Sequence, residues 1–177
     1  GNNKLIKMDV KPVLDSLVSG INLKNVTGIH LDVEPHTFKD YKGNEAKYMG
    51  LYVKMLKDAA AFCSSKGIKL SVSIPLYYPE DALKEIYAVC DKVYLMAYEK
   101  PDIDFIEKKT TEEFKLGKDK TVIALRAEDF NTRHEMEVFI SKLSEKLKTD
   151  RFALHDLSRI VDLDQGQLNN NRLKEDK

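Results

Sequence analysis

The sharpest pattern in the chain lies at Thr27-Gly28-Ile29-His30-Leu31-Asp32-Val33-Glu34-Pro35-His36, where apolar and polar residues alternate. Successive side chains of a strand point to opposite faces, so a period of two predicts a strand, here over 26–34. Ile29, Leu31 and Val33 fall on one face and His30, Asp32 and Glu34 on the other. Pro35 cannot donate to a ladder and ends it, which puts Glu34 at the carboxyl end of the strand. Parallel α/β folds gather their chemistry at that end. A strand set between long helices is expected to be buried on both faces. Ionisable groups there cost several kcal/mol unless they are paired, hydrogen-bonded or used.

Apolar residues at a spacing of three and four predict a helix over 9–21, carried by Val10, Val13, Leu14, Leu17 and Val18. A longer one over 45–65 is carried by Tyr48, Leu51, Tyr52, Met55, Leu56, Ala59, Phe62 and Cys63, and Gly67 is its expected stop. Strands are expected over 68–74, 92–98, 121–125 and 151–156, the first two closed by Pro75 and Pro101. Between them run helices over 79–89 and 102–116, and one that Asn131 or Thr132 caps and that continues to Leu147. The polar loop over 37–44 lies at the same end as Glu34, and loops there commonly line sites. Residues 165–177 read as a polar tail.

The result is a single α/β domain over 1–164, with five strands separated by helices. Strict alternation implies parallel strands joined by right-handed crossovers. Two architectures fit, a partial (β/α)8 TIM barrel and an open doubly wound sheet. Eight strands take ~250 residues, more than the 177 here. No glycine-rich phosphate loop follows the first strand, which counts against a nucleotide-binding sheet.

Charge and composition narrow the partners. Lysine plus arginine balance aspartate plus glutamate at 29 each, so no net field points to nucleic acid or an anionic membrane, and no nucleic-acid partner is expected. No apolar run approaches the ~20 residues that a membrane span needs. Cys63 and Cys90 have neither metal-ligand spacing nor a disulfide framework and read as buried small hydrophobes. Gly1-Asn2-Asn3 has the look of a trimmed start, so the lack of a signal peptide carries no information. No tryptophan is present.

Asp32 and Glu34, two residues apart on one strand face, would lie ~6.6 Å apart along the strand. Two carboxylates in unlike surroundings suit glycoside hydrolysis, one kept protonated as an acid and one ionised to stabilise positive charge. Strand-end ion pairs are the plainer reading. His30, Asp32, Glu34 and His36 could also converge on a divalent metal, although Pro35 turns His36 off the common face. Tyr94, Met96 and Tyr98 share a face of the third strand, where tyrosines commonly just pack. Arg126, Glu128 and Asp129 end the fourth strand, and His155-Asp156 lie in the fifth. Polar groups thus gather at the carboxyl ends of four strands.

At this point the residues resemble a known family. Thr27 to Glu34 is similar to the Asp-Gly-x-Asp-x-Asp-x-Glu signature on the fourth barrel strand of family 18 glycoside hydrolases, the chitinase and endo-N-acetylglucosaminidase group. Leu70-Ser71-Val72-Ser73-Ile74-Pro75 resembles that family's fifth strand, and Leu95-Met96-Ala97-Tyr98-Glu99 resembles its sixth-strand Met-x-Tyr-Asp pattern. The order and spacing of the three agree, so residues 26–160 would be strands four to eight. The resemblance implies a substrate-assisted retaining mechanism on N-acetylhexosamine-containing glycans. Glu34 would be the acid, Asp32 the orienting carboxylate and Tyr98 the hydrogen-bond donor to the acetamido oxygen.

His30, Met96, Glu99, Arg126, Glu128 and His155 would line the carbohydrate site. No metal and no cofactor are implied. The missing first half of the barrel is a possible partner, and a secreted or cell-envelope location is the expectation. The chain departs from the pattern in several places. Thr27 and His30 stand where aspartates are usual, Glu99 replaces the sixth-strand aspartate, and His155 sits near the family's tryptophan. An inactive carbohydrate-binding relative and a metal-dependent hydrolase are the alternatives.

Overall fold

The computed structural model describes residues 3–163. Gly1, Asn2 and the expected polar tail over 165–177 lie outside the described residues. Five parallel strands alternate with helices: β1 (Gly28–Asp32), β2 (Lys69–Pro75), β3 (Lys92–Met96), β4 (Thr121–Arg126) and β5 (Phe152–His155). They are hydrogen-bonded in sequence order, β1-β2-β3-β4-β5. Consecutive order without a switch point is the winding of a (β/α)8 barrel, and it removes the doubly wound alternative. The helices are α1 (Val10–Val18), α2 (Glu45–Ser65), α3 (Glu80–Val89), α4 (Ile103–Lys109), α5 (Thr111–Gly117) and α6 (Arg133–Leu147).

The chain groups into two compact units, residues 3–94 with 112–121 and residues 95–111 with 122–163. In the first unit, β1 pairs with β2 in the register Gly28↔Lys69 through Asp32↔Ser73. Ile29, Leu31, Leu70, Val72 and Ile74 are buried, and α2, whose Tyr52, Met55, Leu56 and Ala59 are buried, packs on β2. Helix α1 starts at Asp9, whose carboxylate accepts from the Lys11 N–H at 3.0 Å. Gly67 follows the last residues of α2 at φ +68, the left-handed conformation expected of a helix stop. Cys63 and Cys90 are buried free thiols, and burial pushes the Cys90 thiol up to about 12.

In the second unit, β4 pairs with β5 from Ile123↔Phe152 to Arg126↔His155. Ala127, Phe130 and Met136 form a buried cluster that Phe139, Ile140 and Ile160 cover. Thr132 is the cap of α6, accepting from the Glu135 N–H at 3.1 Å, while the Glu135 carboxylate reaches back to the Asn131 N–H at 2.9 Å.

Three expectations are corrected. The helix expected over 102–116 is broken in two at Thr110. Thr110 is fully buried and its hydroxyl donates to the Ile106 carbonyl at 2.9 Å, while Thr111 donates to Glu107 O at 3.0 Å. Such back-bonding competes with the helix ladder. Strand β1 stops at Asp32, and Glu34 instead caps a single 3-10 turn, Pro35–Thr37. Within the first unit β1 is also buried on one face alone, with His30 and Asp32 exposed on the other.

Gly28 is the tight point of the β1–β2 pair, because a Cβ there would run into the backbone carbonyl of Lys69. Gly50, on the exposed side of α2, has open space around it. Gly28→Ala is expected to lower stability by about 1–3 kcal/mol. Gly50→Ala is expected to raise it by about 0.5–1 kcal/mol. Urea unfolding followed by circular dichroism checks both.

Candidate active site

Asp32 ends β1 on its exposed polar face, opposite Ser73 of β2. Two residues on, Glu34 is half-buried, with a third of its side chain accessible. Its backbone is held on both sides. The Glu34 N–H donates to Asn3 Oδ1 at 3.0 Å, and its carbonyl accepts from the Thr37 hydroxyl at 2.8 Å. Asn3 Nδ2 also donates to that hydroxyl, which closes a small ring around the turn. The turn swings His36 back, and its Nε2 lies 3.1 Å from Glu34 Oε2. The sequence expectation that His36 leaves the strand face holds. That it turns back onto Glu34 was not legible, since it depends on Pro35 starting a helical turn.

A tyrosine group surrounds this pair. The His36 ring meets Tyr77 edge-on at 5.4 Å and Tyr78 at 6.3 Å, and Tyr78 meets Tyr52 at 5.9 Å. The hydroxyls of Tyr52 and Tyr78 are buried without a hydrogen-bond partner. Burial raises both phenols above their ordinary range, and the negative charge of Glu34 adds to it. Tyr77 is raised in the same way. The sequence reads Tyr52 as part of the apolar stripe of α2 and gives Tyr77 and Tyr78 no role. The Tyr77-Tyr78 doublet just beyond Pro75 was the available signal.

His30 makes two side-chain hydrogen bonds along the neighbouring strand, Nδ1 to Ser71 Oγ at 2.9 Å and Nε2 to Ser73 Oγ at 3.0 Å. Tyr94 stands edge-on to its ring at 5.0 Å. By area His30 is exposed, yet its ring nitrogens are enclosed by these groups. Desolvation lowers its pKa, against an opposing pull from Asp32. Among the described residues no group of three or more His, Cys, Asp or Glu is arranged to hold a metal ion. The converging ligand set considered from the sequence is therefore not formed there.

The second unit holds the remaining candidates. Tyr98 stacks on His155, with ring centroids 5.8 Å apart and planes 23° from parallel. Arg126 lies beside His155 across the β4–β5 pair. Its guanidinium grips Asp129 Oδ1 with Nε at 3.1 Å and the terminal nitrogen at 2.7 Å, and also meets Glu128 at 3.0 Å. Glu99 adopts φ +67 and is exposed, and its N–H donates to Asp129 Oδ2 at 2.7 Å. Asp129, named in the sequence only as one of the charges ending the fourth strand, thus joins Arg126 to the Glu99 backbone. Met96 is the last residue of β3 and is half-buried. Glu128 also lies 3.7 Å from Arg159.

No protein-family model matches the chain, and no curated protein matches it. Among solved structures it is similar to the glycoside hydrolase domain of PgaB (BpsB) from Bordetella bronchiseptica, with 13% identity and a TM-score of 0.47. The match covers 68% of this chain and 39% of that one.

The lowered pKa of His30 has a consequence for stability. An unfolded histidine takes up its proton near the ordinary value of 6.5, while folded His30 stays neutral to lower pH. Between the two values the unfolded state binds more protons, so stability falls on acidification. The His30 contribution is complete above that ordinary value and is lost as pH drops through the folded pKa. Urea midpoints at about pH 7.5 and about pH 5.5 are expected to differ more for the wild type than for His30→Gln.

Proposed function

We propose that the chain carries the acid and the orienting carboxylate of a glycosidase acting on N-acetylhexosamine-containing glycans by a substrate-assisted retaining mechanism. The observation that supports this reading is the unlike setting of two carboxylates at the end of one strand. Asp32 is exposed beside Ser73, whereas Glu34 is half-buried near Tyr52, Tyr77 and Tyr78 and paired with His36.

In the proposed reaction Glu34 gives its proton to the glycosidic oxygen as that bond breaks. The substrate's own acetamido oxygen attacks the anomeric carbon, forming a cyclic oxazolinium. Asp32 accepts from the acetamido N–H and offsets the positive charge that develops. Water, deprotonated by the Glu34 carboxylate, then opens the ring with retention. The neighbouring amide replaces the second carboxylate as nucleophile, a recognised variant of the two-carboxylate scheme. From the sequence resemblance alone, Tyr98 would meet the acetamido oxygen, and Met96, Glu99, Arg126, Glu128 and His155 would meet the sugar.

A relative that binds carbohydrate without turnover is the second reading. His30 favours it. This residue stands at a carboxylate position of the motif, and its nitrogens are committed to two serine hydroxyls.

The test is hydrolysis of 4-methylumbelliferyl N-acetylglucosamine oligomers by the full-length protein, with a chelator control. Glu34→Gln is expected to lower turnover by ~10²–10⁴-fold while keeping ligand binding, because an amide cannot deliver the proton. Asp32→Asn is expected to lower it as well, since a neutral amide stabilises the oxazolinium less. Full activity in Glu34→Gln would rule out the acid role. Glycan binding with no hydrolysis would establish the second reading, and loss of activity with the chelator alone would favour a metal-dependent hydrolase.

A further inference from the structure

His36 has no place in the motif that suggested the acid, yet its Nε2 lies 3.1 Å from Glu34 Oε2. Its other ring nitrogen decides the tautomer. Nδ1 is buried without a hydrogen-bond partner. A proton on Nδ1 would leave a buried N–H unpaired and would turn the Nε2 lone pair toward a carboxylate oxygen. A proton on Nε2 makes a charge-assisted hydrogen bond to Glu34 and leaves only a lone pair unsatisfied. Buried unpaired N–H groups are among the rarest defects of folded proteins. Tyr77 and Tyr78 stand edge-on to the ring and hold its plane.

We propose that His36 is a positioning residue for Glu34, donating Nε2–H to Oε2 so that the transferable proton resides on Oε1. This rests on the glycosidase reading for its catalytic meaning, while the hydrogen bond itself does not. The chemistry follows from the geometry. With Oε2 occupied as an acceptor, protonated Glu34 presents its O–H from the other oxygen, toward the leaving group. As that proton departs, the carboxylate gains a full charge on the oxygen that His36 already contacts. The bond therefore strengthens along the reaction coordinate, and such an interaction raises kcat more than it lowers KM. Asp32 lies on the exposed strand face, and the buried hydroxyls of Tyr52 and Tyr78 have no hydrogen-bond partner, so neither group supplies this contact.

The experiment has two arms. Ring-nitrogen NMR of the full-length protein labelled at histidine, with His36→Gln assigning the signal, is expected to show the Nε2–H tautomer at neutral pH. The Nδ1–H tautomer would overturn the proposal. The kinetic arm uses the same fluorogenic N-acetylglucosamine substrate. His36→Phe keeps the ring contacts with both tyrosines and removes the donor. It is expected to lower kcat by about tenfold to a hundredfold with KM nearly unchanged. His36→Gln places an amide N–H near the position of Nε2 and is expected to recover most of that loss. Equal activity of the Phe and Gln variants, or a loss carried by KM, would also overturn it. If the wild type hydrolyses no such substrate, the proposed function fails instead, and the tautomer still decides whether His36 donates to Glu34.

Discussion

The parallel pairing of β1 with β2 is the constraint on which the candidate site depends. The strands approach so closely at Gly28 that no side chain fits against the Lys69 carbonyl, and that contact sets the register. A slip of one residue would exchange the faces, putting His30 and Asp32 under α2 and Leu31 into water. With the register held, His30 meets Ser71 and Ser73, and Asp32 ends the strand on the open side. The same register delivers Glu34 to the place where Asn3 and Thr37 can hold its backbone.

Beyond the strand, the two carboxylates diverge because the backbone does. Pro35 ends the ladder and begins a 3-10 turn, so Glu34 leaves the alternation that the first part of the motif obeys. This turn moves its side chain from the sheet face into the company of His36 and three tyrosines. Their phenols are raised by burial first; Glu34 adds to each, as the next cause for Tyr77 and as a smaller one for Tyr52 and Tyr78. In the second unit the balance is different. Arg126 is committed to Asp129 and Glu128, and Asp129 also fixes the left-handed backbone of Glu99. Those charges pair with one another, and in the same unit Tyr98 stacks on His155.

The sequence by itself determined the parts that local periodicity controls. Alternation in β1, helical spacing in α2 and prolines after strands specify element type and order, because each is decided by neighbours along the chain. Consecutive parallel strands followed from that order, and so did the placing of Asp32, Tyr98, Arg126 and His155 at or near carboxyl ends. Tertiary structure decided what local rules leave open. The break at Thr110 turns on whether two threonine hydroxyls bond backward, which burial of Thr110 settles. Asp129 joins Arg126 to the Glu99 backbone 30 positions away. The serines that hold His30 are more than 40 positions distant, and only the strand register brings them together. The turn of His36 onto Glu34 spans two residues, yet it too needed the fold, because the tyrosines that hold the ring arrive from the end of β2.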